Sequence, residues 1–194
     1  MARPRNFDED KALEAAMLTF WRHGYDGTTY KMLSEATGVD VKGLSNVFGS
    51  KDEIFDRAAT AYRAMAKRVV SQAFEKPGIE ALIAFFERLG TPPASDEDMS
   101  NMGCMLVNTI FELHRFQPNM REHVEAYRRM WLDAFETSLR ASDIDKARDR
   151  SEFLVGSMWG ALSEIRLVRS KAAAAPLAQI AVDTLKTWQN ERTA

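Results

Sequence analysis

The punctuation of the first quarter of the chain constrains its fold most. Helix-start residues and glycine stops alternate: Asp8 then Gly24, Thr29 then Gly38, Asp40 then Gly49, and finally Ser50 with Glu53 three residues on. Asp, Ser and Thr accept hydrogen bonds from the free N–H groups of a first turn, and Gly takes the left-handed conformation that closes a last one. Between these marks apolar residues recur at three and four. They are Ala12, Leu13, Ala16, Met17, Phe20 and Trp21, then Met32, Leu33 and Ala36, then Leu44, Val47 and Phe48. That is the period of a helix, not the period of two that a half-buried strand needs. Ser50-Lys51-Asp52-Glu53 is a capping box, and it predicts a long fourth helix running to about residue 74.

The remainder reads the same way. Lys76-Pro77-Gly78 breaks the fourth helix, and a fifth is expected over 79–89. Residues 91–101, with two prolines and three acids, read as a mobile loop. Further helices are predicted over 104–116, 118–141, 145 to about 170, and 176–189. The expected fold is all-α with about nine helices, and no segment has the alternation of a strand. It divides into an N-terminal three-helix helix-turn-helix domain, residues 1–51, and a C-terminal helical bundle, residues 52–194. The join is a helix, which couples the two parts mechanically.

Composition narrows the class. With 194 residues, 45% of them apolar and 28% charged, the chain has the apolar surface for a core, which excludes disorder over most of its length. A single cysteine, Cys104, excludes an internal disulfide and a cysteine-based zinc site. The opening MARPRNFDED lacks the apolar run of a signal peptide, and no stretch approaches the roughly 18 apolar residues of a membrane span. A cytoplasmic protein without a membrane partner is expected. His23, His114 and His123 are scattered, and no Gly-rich phosphate loop, zincin motif or nucleophile elbow is present. The expectation is a non-enzyme that needs no cofactor and no metal.

Residues 29–48 carry the most informative pattern: two short helices joined by a tight turn at Gly38. Leu44, Val47 and Phe48 face the core, so Val41, Lys42, Gly43, Ser45 and Asn46 face away. Asn can pair with adenine and Lys with guanine, while Val can touch a thymine methyl. Lys51 adds a charge in the first turn of the fourth helix, where free N–H groups favour phosphate. Thr28, Thr29 and Tyr30 offer neutral phosphate contacts, and Arg3 and Arg5 form a short basic arm. Charge does not decide the matter. Arg3, Arg5, Lys11, Arg22, Lys31, Lys42 and Lys51 are matched by Asp8, Glu9, Asp10, Glu14, Asp26, Glu35 and Asp40. A glycine turn between helices is common in all-α proteins, so a helical protein-interaction adaptor without DNA binding is the alternative. Salt-dependent retention on duplex DNA separates the two.

The second half offers a dimer and a pocket. Around the eighth helix Phe153, Leu154, Val155, Met158, Trp159, Leu162, Ile165, Leu167 and Val168 leave almost no polar side, and Gly156 and Gly160 form a small-residue groove. Such a helix is buried on more than one side. With Leu177, Ile180, Ala181, Leu185 and Trp188 on the ninth, it can pair with its symmetry mates in a homodimer through the last two helices, or it is an internal core helix. Met65, Phe86, Met105, Asn108, Ile110, Glu112, Trp131, Phe135, Met158 and Trp159 either line a pocket for an apolar effector or are plain core. Asn108 and Glu112, one turn apart among apolar neighbours, are the candidate polar contacts. Cys104 is either a buried thiol or a redox or electrophile sensor.

Residues 7–55 resemble the DNA-binding domain of TetR-type (TetR/AcrR) transcriptional regulators. The resemblance rests on Phe20, Gly24-Tyr25, Gly27-Thr28-Thr29, Leu33, Gly38-Val39, Leu44, Phe48 and Ser50-Lys51, followed by Glu53 and Phe55. Gly103-Cys104-Met105-Leu106-Val107-Asn108 resembles a motif from the ligand-binding region of one branch of that family. Three positions depart from the pattern: Ser45 stands where Tyr is usual, Asn46-Val47 where aromatic residues or His are frequent, and Asp40 where Ser is usual. The resemblance implies a homodimer whose recognition helices enter successive major grooves of a palindromic operator. It also implies repression that is relieved by a small molecule bound in the C-terminal bundle.

Overall fold

A computed structural model describes residues 7–95, 97–110, 112 and 118–193. Among them are nine α-helices and no strand: α1 (Glu9–Gly27), α2 (Tyr30–Thr37), α3 (Val41–Phe48), α4 (Lys51–Ala73), α5 (Ile79–Gly90), α6 (Met105–Thr109), α7 (Pro118–Ala141), α8 (Ala147–Val168) and α9 (Ala175–Thr193). None is long and apolar enough to cross a membrane. Short 3-10 turns cover Met99–Met102 and Lys171–Ala174.

The head, α1 to α3, is set by its caps. Asp8 accepts from the N–H groups of Asp10 and Lys11 at 3.1 and 3.2 Å. Gly24, at φ +73, breaks α1 three residues before its end, where few residues other than glycine would sit. The head encloses Ala16, Phe20, Leu33, Leu44 and Phe48, all nearly inaccessible. α4 closes this core with Ile54, Phe55 and Ala58, then runs on unbroken into the bundle, where Tyr62 and Ala66 are buried. Phe20 and Phe55 meet edge to face, with ring centroids 4.8 Å apart.

In the bundle α5 packs on α9, α7 on α8, and α8 on α9. Its centre is aromatic: Phe74, Phe85, Phe86, Trp131 and Phe135 lie with ring centroids 5.0 to 5.9 Å apart. On the inner face of α8, Leu154, Val155 and Met158 are buried in this core, and Ala161 and Ile165 are buried in a smaller cluster with Ala174.

Three expectations need correction. α6 ends at Thr109 and the chain tightens into a 3-10 turn at Ile110 and Glu112, so the helix is far shorter than 104–116 within the described residues. α8 starts at Ala147 and not at 145, because Lys146 takes a left-handed conformation that does not continue a helix. The segment 91–101 is not wholly a loop, since Met99–Met102 form a turn and Asn101 is buried. Its Oδ1 accepts from the Lys171 N–H at 2.7 Å, and that bond pins the loop.

Candidate nucleic-acid interface

α2 and α3 are oriented by two side-chain caps and one turn. Thr29 Oγ1 accepts from the Met32 N–H at 3.2 Å, Gly38 turns the chain at φ +69, and Asp40 Oδ1 accepts from the Gly43 N–H at 2.6 Å. Asp caps as well as the Ser usual there. Leu44 and Phe48 then anchor α3, with Arg57 of α4 over the outer face of the Phe48 ring at 5.4 Å. Val41, Lys42, Ser45 and Asn46 are exposed on the opposite side. Gly43 is half-buried, and its N–H is taken by Asp40. A Cβ there would lie 2.8 Å from Val39 Cγ1.

The flanking contacts change in detail. Thr28 is 1% exposed and its hydroxyl donates to the Gly24 carbonyl at 2.6 Å, so its side chain closes the kink of α1 and does not reach outward. Thr29 is exposed, and Tyr30 is half-buried against the head. Lys51 is half-buried, with Nζ 4.2 Å over the Tyr25 ring, and burial lowers its pKa. Tyr25 in turn donates its hydroxyl to Asp52, and burial followed by that bond pushes the phenol up. Lys51 therefore stands at the start of α4 as expected, but held in place by an aromatic ring. Arg3 and Arg5 lie outside the described residues, as does His114.

Head and bundle are joined by hydrogen bonds that the sequence did not signal. Glu112 Oε2 accepts from the Tyr25 N–H at 3.1 Å, just past the kink. Arg166 of α8 donates to the carbonyls of Trp21 and Arg22 at 3.2 and 3.1 Å, where the first straight run of α1 ends. A cation there meets free carbonyls and the negative end of the helix dipole. Trp21 Nε1 donates to the Gly103 carbonyl at 3.1 Å. On α4 and α7, Arg63 donates to His123 Nδ1 at 3.0 Å, and His123 Nε2 donates to Asp56 Oδ1 at 2.9 Å. An arginine on Nδ1 requires that nitrogen to accept, which fixes the neutral tautomer with hydrogen on Nε2.

The expected pocket residues mostly fill the interior. Met105, Trp131, Phe135 and Met158 are buried in the core, and Met65, Ile110 and Trp159 pack against it half-buried. Phe86 borders a surface cleft of about 300 Å³ between α5 and α9. Glu112 serves the contact with Tyr25, and Asn108 Nδ2 donates to the Met102 carbonyl at 3.0 Å. The reason is packing: Met and aromatic residues at helical spacing mark burial without saying whether they face a void or each other. Cys104 is buried beside the hydroxyls of Tyr62 and Tyr127, and burial pushes its thiol up. The neutral thiol is the weaker nucleophile.

An all-α chain with this head is a helix-turn-helix protein. Residues 12–58 match the family described as bacterial regulatory proteins, tetR family. The HTH-type transcriptional repressor ComR of Escherichia coli (strain K12) is 33% identical over 109 residues, 55% of this chain and 51% of ComR. The chain thus aligns with about half the length of that relative. The HTH-type transcriptional repressor BdcR of the same organism is 22% identical over 191 residues, 97% of this chain and 94% of BdcR. The TetR family transcriptional regulator CifR, solved with a 26 bp double-strand operator DNA, superposes with a TM-score of 0.74 at 20% identity, over 94% of this chain and 98% of that one. Residues 12–58 thus match the tetR family, and the fold of the chain is similar to that of TetR-family regulators.

Proposed function

We propose that the protein is a cytoplasmic transcriptional repressor that binds a palindromic duplex operator as a homodimer and releases it when a small molecule occupies the bundle. One observation carries this reading: α3 buries Leu44 and Phe48 and holds Lys42, Ser45 and Asn46 free on its other side. Lys and Asn are suited to guanine and adenine edges. CifR in complex with its operator and the repressors ComR and BdcR support the same reading.

The dimer is supported by the outer side of α8 and α9. Phe153, Leu167, Val168 and Ile180 are exposed there, Leu167 at 78%, and Gly156 has open space beside it. Apolar side chains grouped on one face mark an association surface. To read two half-sites, a dimer joined there has to present its two α3 helices about one DNA turn apart, roughly 34 to 36 Å. Movement of α4 or α8 reaches the head through Arg166, Glu112 and the shared helix, and a ligand drives release by binding the released arrangement more tightly.

Selection of bound duplexes from a random pool tests the reading, with a two-fold symmetric site as the expected result. Lys42→Ala and Asn46→Ala should then relax preference at particular base pairs by about 1–3 kcal/mol each. A uniform loss across all sequences would make them backbone contacts. Absence of any salt-dependent retention on duplex DNA would favour the protein-interaction adaptor.

A further inference from the structure

α4 and α7 part along a surface cleft of about 580 Å³, within the roughly 300–1,000 Å³ common for small-molecule sites. Its α4 wall is one helical stripe, Thr60, Arg63, Ala64 and Lys67. On α7 the lining residues Ala126, Tyr127 and Met130 are buried or half-buried, whereas Arg129 and Asp133 are exposed. The cleft therefore has an apolar floor and a rim of three cations against one carboxylate. Neither Lys67 nor Arg129 has an ion-pair partner among the described residues. Arg63 spends one of its five N–H donors on His123 and retains the others.

The geometry points to this cleft as the effector site, and to an amphipathic organic anion as the effector's chemical class. A carboxylate fits among Arg63, Lys67 and Arg129, and an aromatic or short aliphatic body fits over Tyr127 and Met130. Asp133 disfavours a second anionic group at its end of the cleft and can accept from a hydroxyl. The inference rests on the reading of the chain as a ligand-responsive operator binder. It adds a route for the signal, because Arg63 is a residue of α4 and is also bonded to His123 of α7. An anion that draws on Arg63 acts on the contact between those two helices. α4 itself begins at Lys51, three residues after α3 ends at Phe48.

Calorimetric titration of the full chain with 3-phenylpropanoate and with 3-phenylpropylamine tests the charge preference. The two share a body and differ in the sign of the head group. The acid should bind about tenfold or more tightly than the amine, since like charges set against each other are costly. Lys67→Gln and Arg129→Gln, both at exposed positions, should each weaken the acid about threefold to fivefold, as for partly exposed ion pairs. The melting temperature and the operator affinity without ligand should stay unchanged. Equal binding of acid and amine, or indifference to both substitutions, would overturn the proposal. So would selective binding of the acid that leaves operator affinity untouched, because the cleft would then not be the effector site. Failure to bind any duplex at all would instead refute the operator reading, and calorimetry reports the cleft independently of it.

Discussion

In the head, every helix begins on a side chain beside it: Asp8, Thr29, Asp40 and Ser50 each accept from an N–H two or three residues away. In the bundle the corresponding bonds come from far along the chain. α5 begins after Gly78 with no cap from its own residues, and the Ile79 N–H donates to Ser142 Oγ, 63 residues later, at 2.7 Å. The turn before α9 begins where Lys171 donates to Asn101, 70 residues earlier. Neither α6 nor α8 has a side-chain cap. A locally capped helix is specified before the rest of the protein is in place. A remotely capped one is specified only by the finished assembly. The exposed face of α3 thus sits on self-contained elements, and the bundle that supports it is a cooperative whole.

This contrast can be broken by substitution. The largest effect is expected at Ser142→Ala, which leaves the Ile79 N–H without its partner inside the bundle. It should cost about 1–3 kcal/mol, read as a lowered urea midpoint for the whole chain. Asp40→Ala removes an exposed local cap and should cost about 1 kcal/mol. Hydrogen exchange should show that loss in the amides of α3, with those of α5 unaffected. Faster exchange in both helices would mean that the head is not self-contained.

The smallest effect concerns Glu53, whose carboxyl accepts from both the N–H and the hydroxyl of Ser50. The Ser50 backbone bond, then its hydroxyl, holds the Glu53 pKa below the ordinary value of about 4.3. The folded value is the lower one, so the contribution is complete above the unfolded pKa and is lost as pH falls through the folded one. The stability gap between wild type and Glu53→Gln should narrow as pH drops from about 6 to about 3. A gap of constant size would assign the box a purely steric role.

The same contrast explains what could be read from sequence. The limits of α2 and α3 followed from Thr29, Gly38, Asp40 and Gly49 because the physics is confined to a few neighbouring residues. So did the outward turn of Lys42 and Asn46, which is fixed by the spacing from Leu44 and Phe48. Thr28 was misplaced because Gly24 kinks the chain and turns its hydroxyl inward. Glu112 was read as a ligand contact, and Arg166 gave no local sign at all. Their partners lie 87 and about 145 residues away, and only the path of the whole chain brings them together. The apolar girdle of α8 signalled two kinds of contact, and its inner side proved to be core while Phe153, Leu167 and Val168 remain outward.

Gly24 has a consequence for how the head is tied to the bundle. Its backbone lies at φ +73, and an added Cβ would stand 2.8 Å from Glu112 Oε1. Any side chain at that position strains the kink and displaces Glu112 Oε1, the partner oxygen of the one that accepts from Tyr25. Such a change touches neither the α3 surface nor the α4–α7 cleft. If the protein is the ligand-released repressor proposed above, a genetic screen for cells in which the promoter stays silent despite inducer should return alleles at this codon, in which receiver and actuator are intact and the linkage between them has been cut.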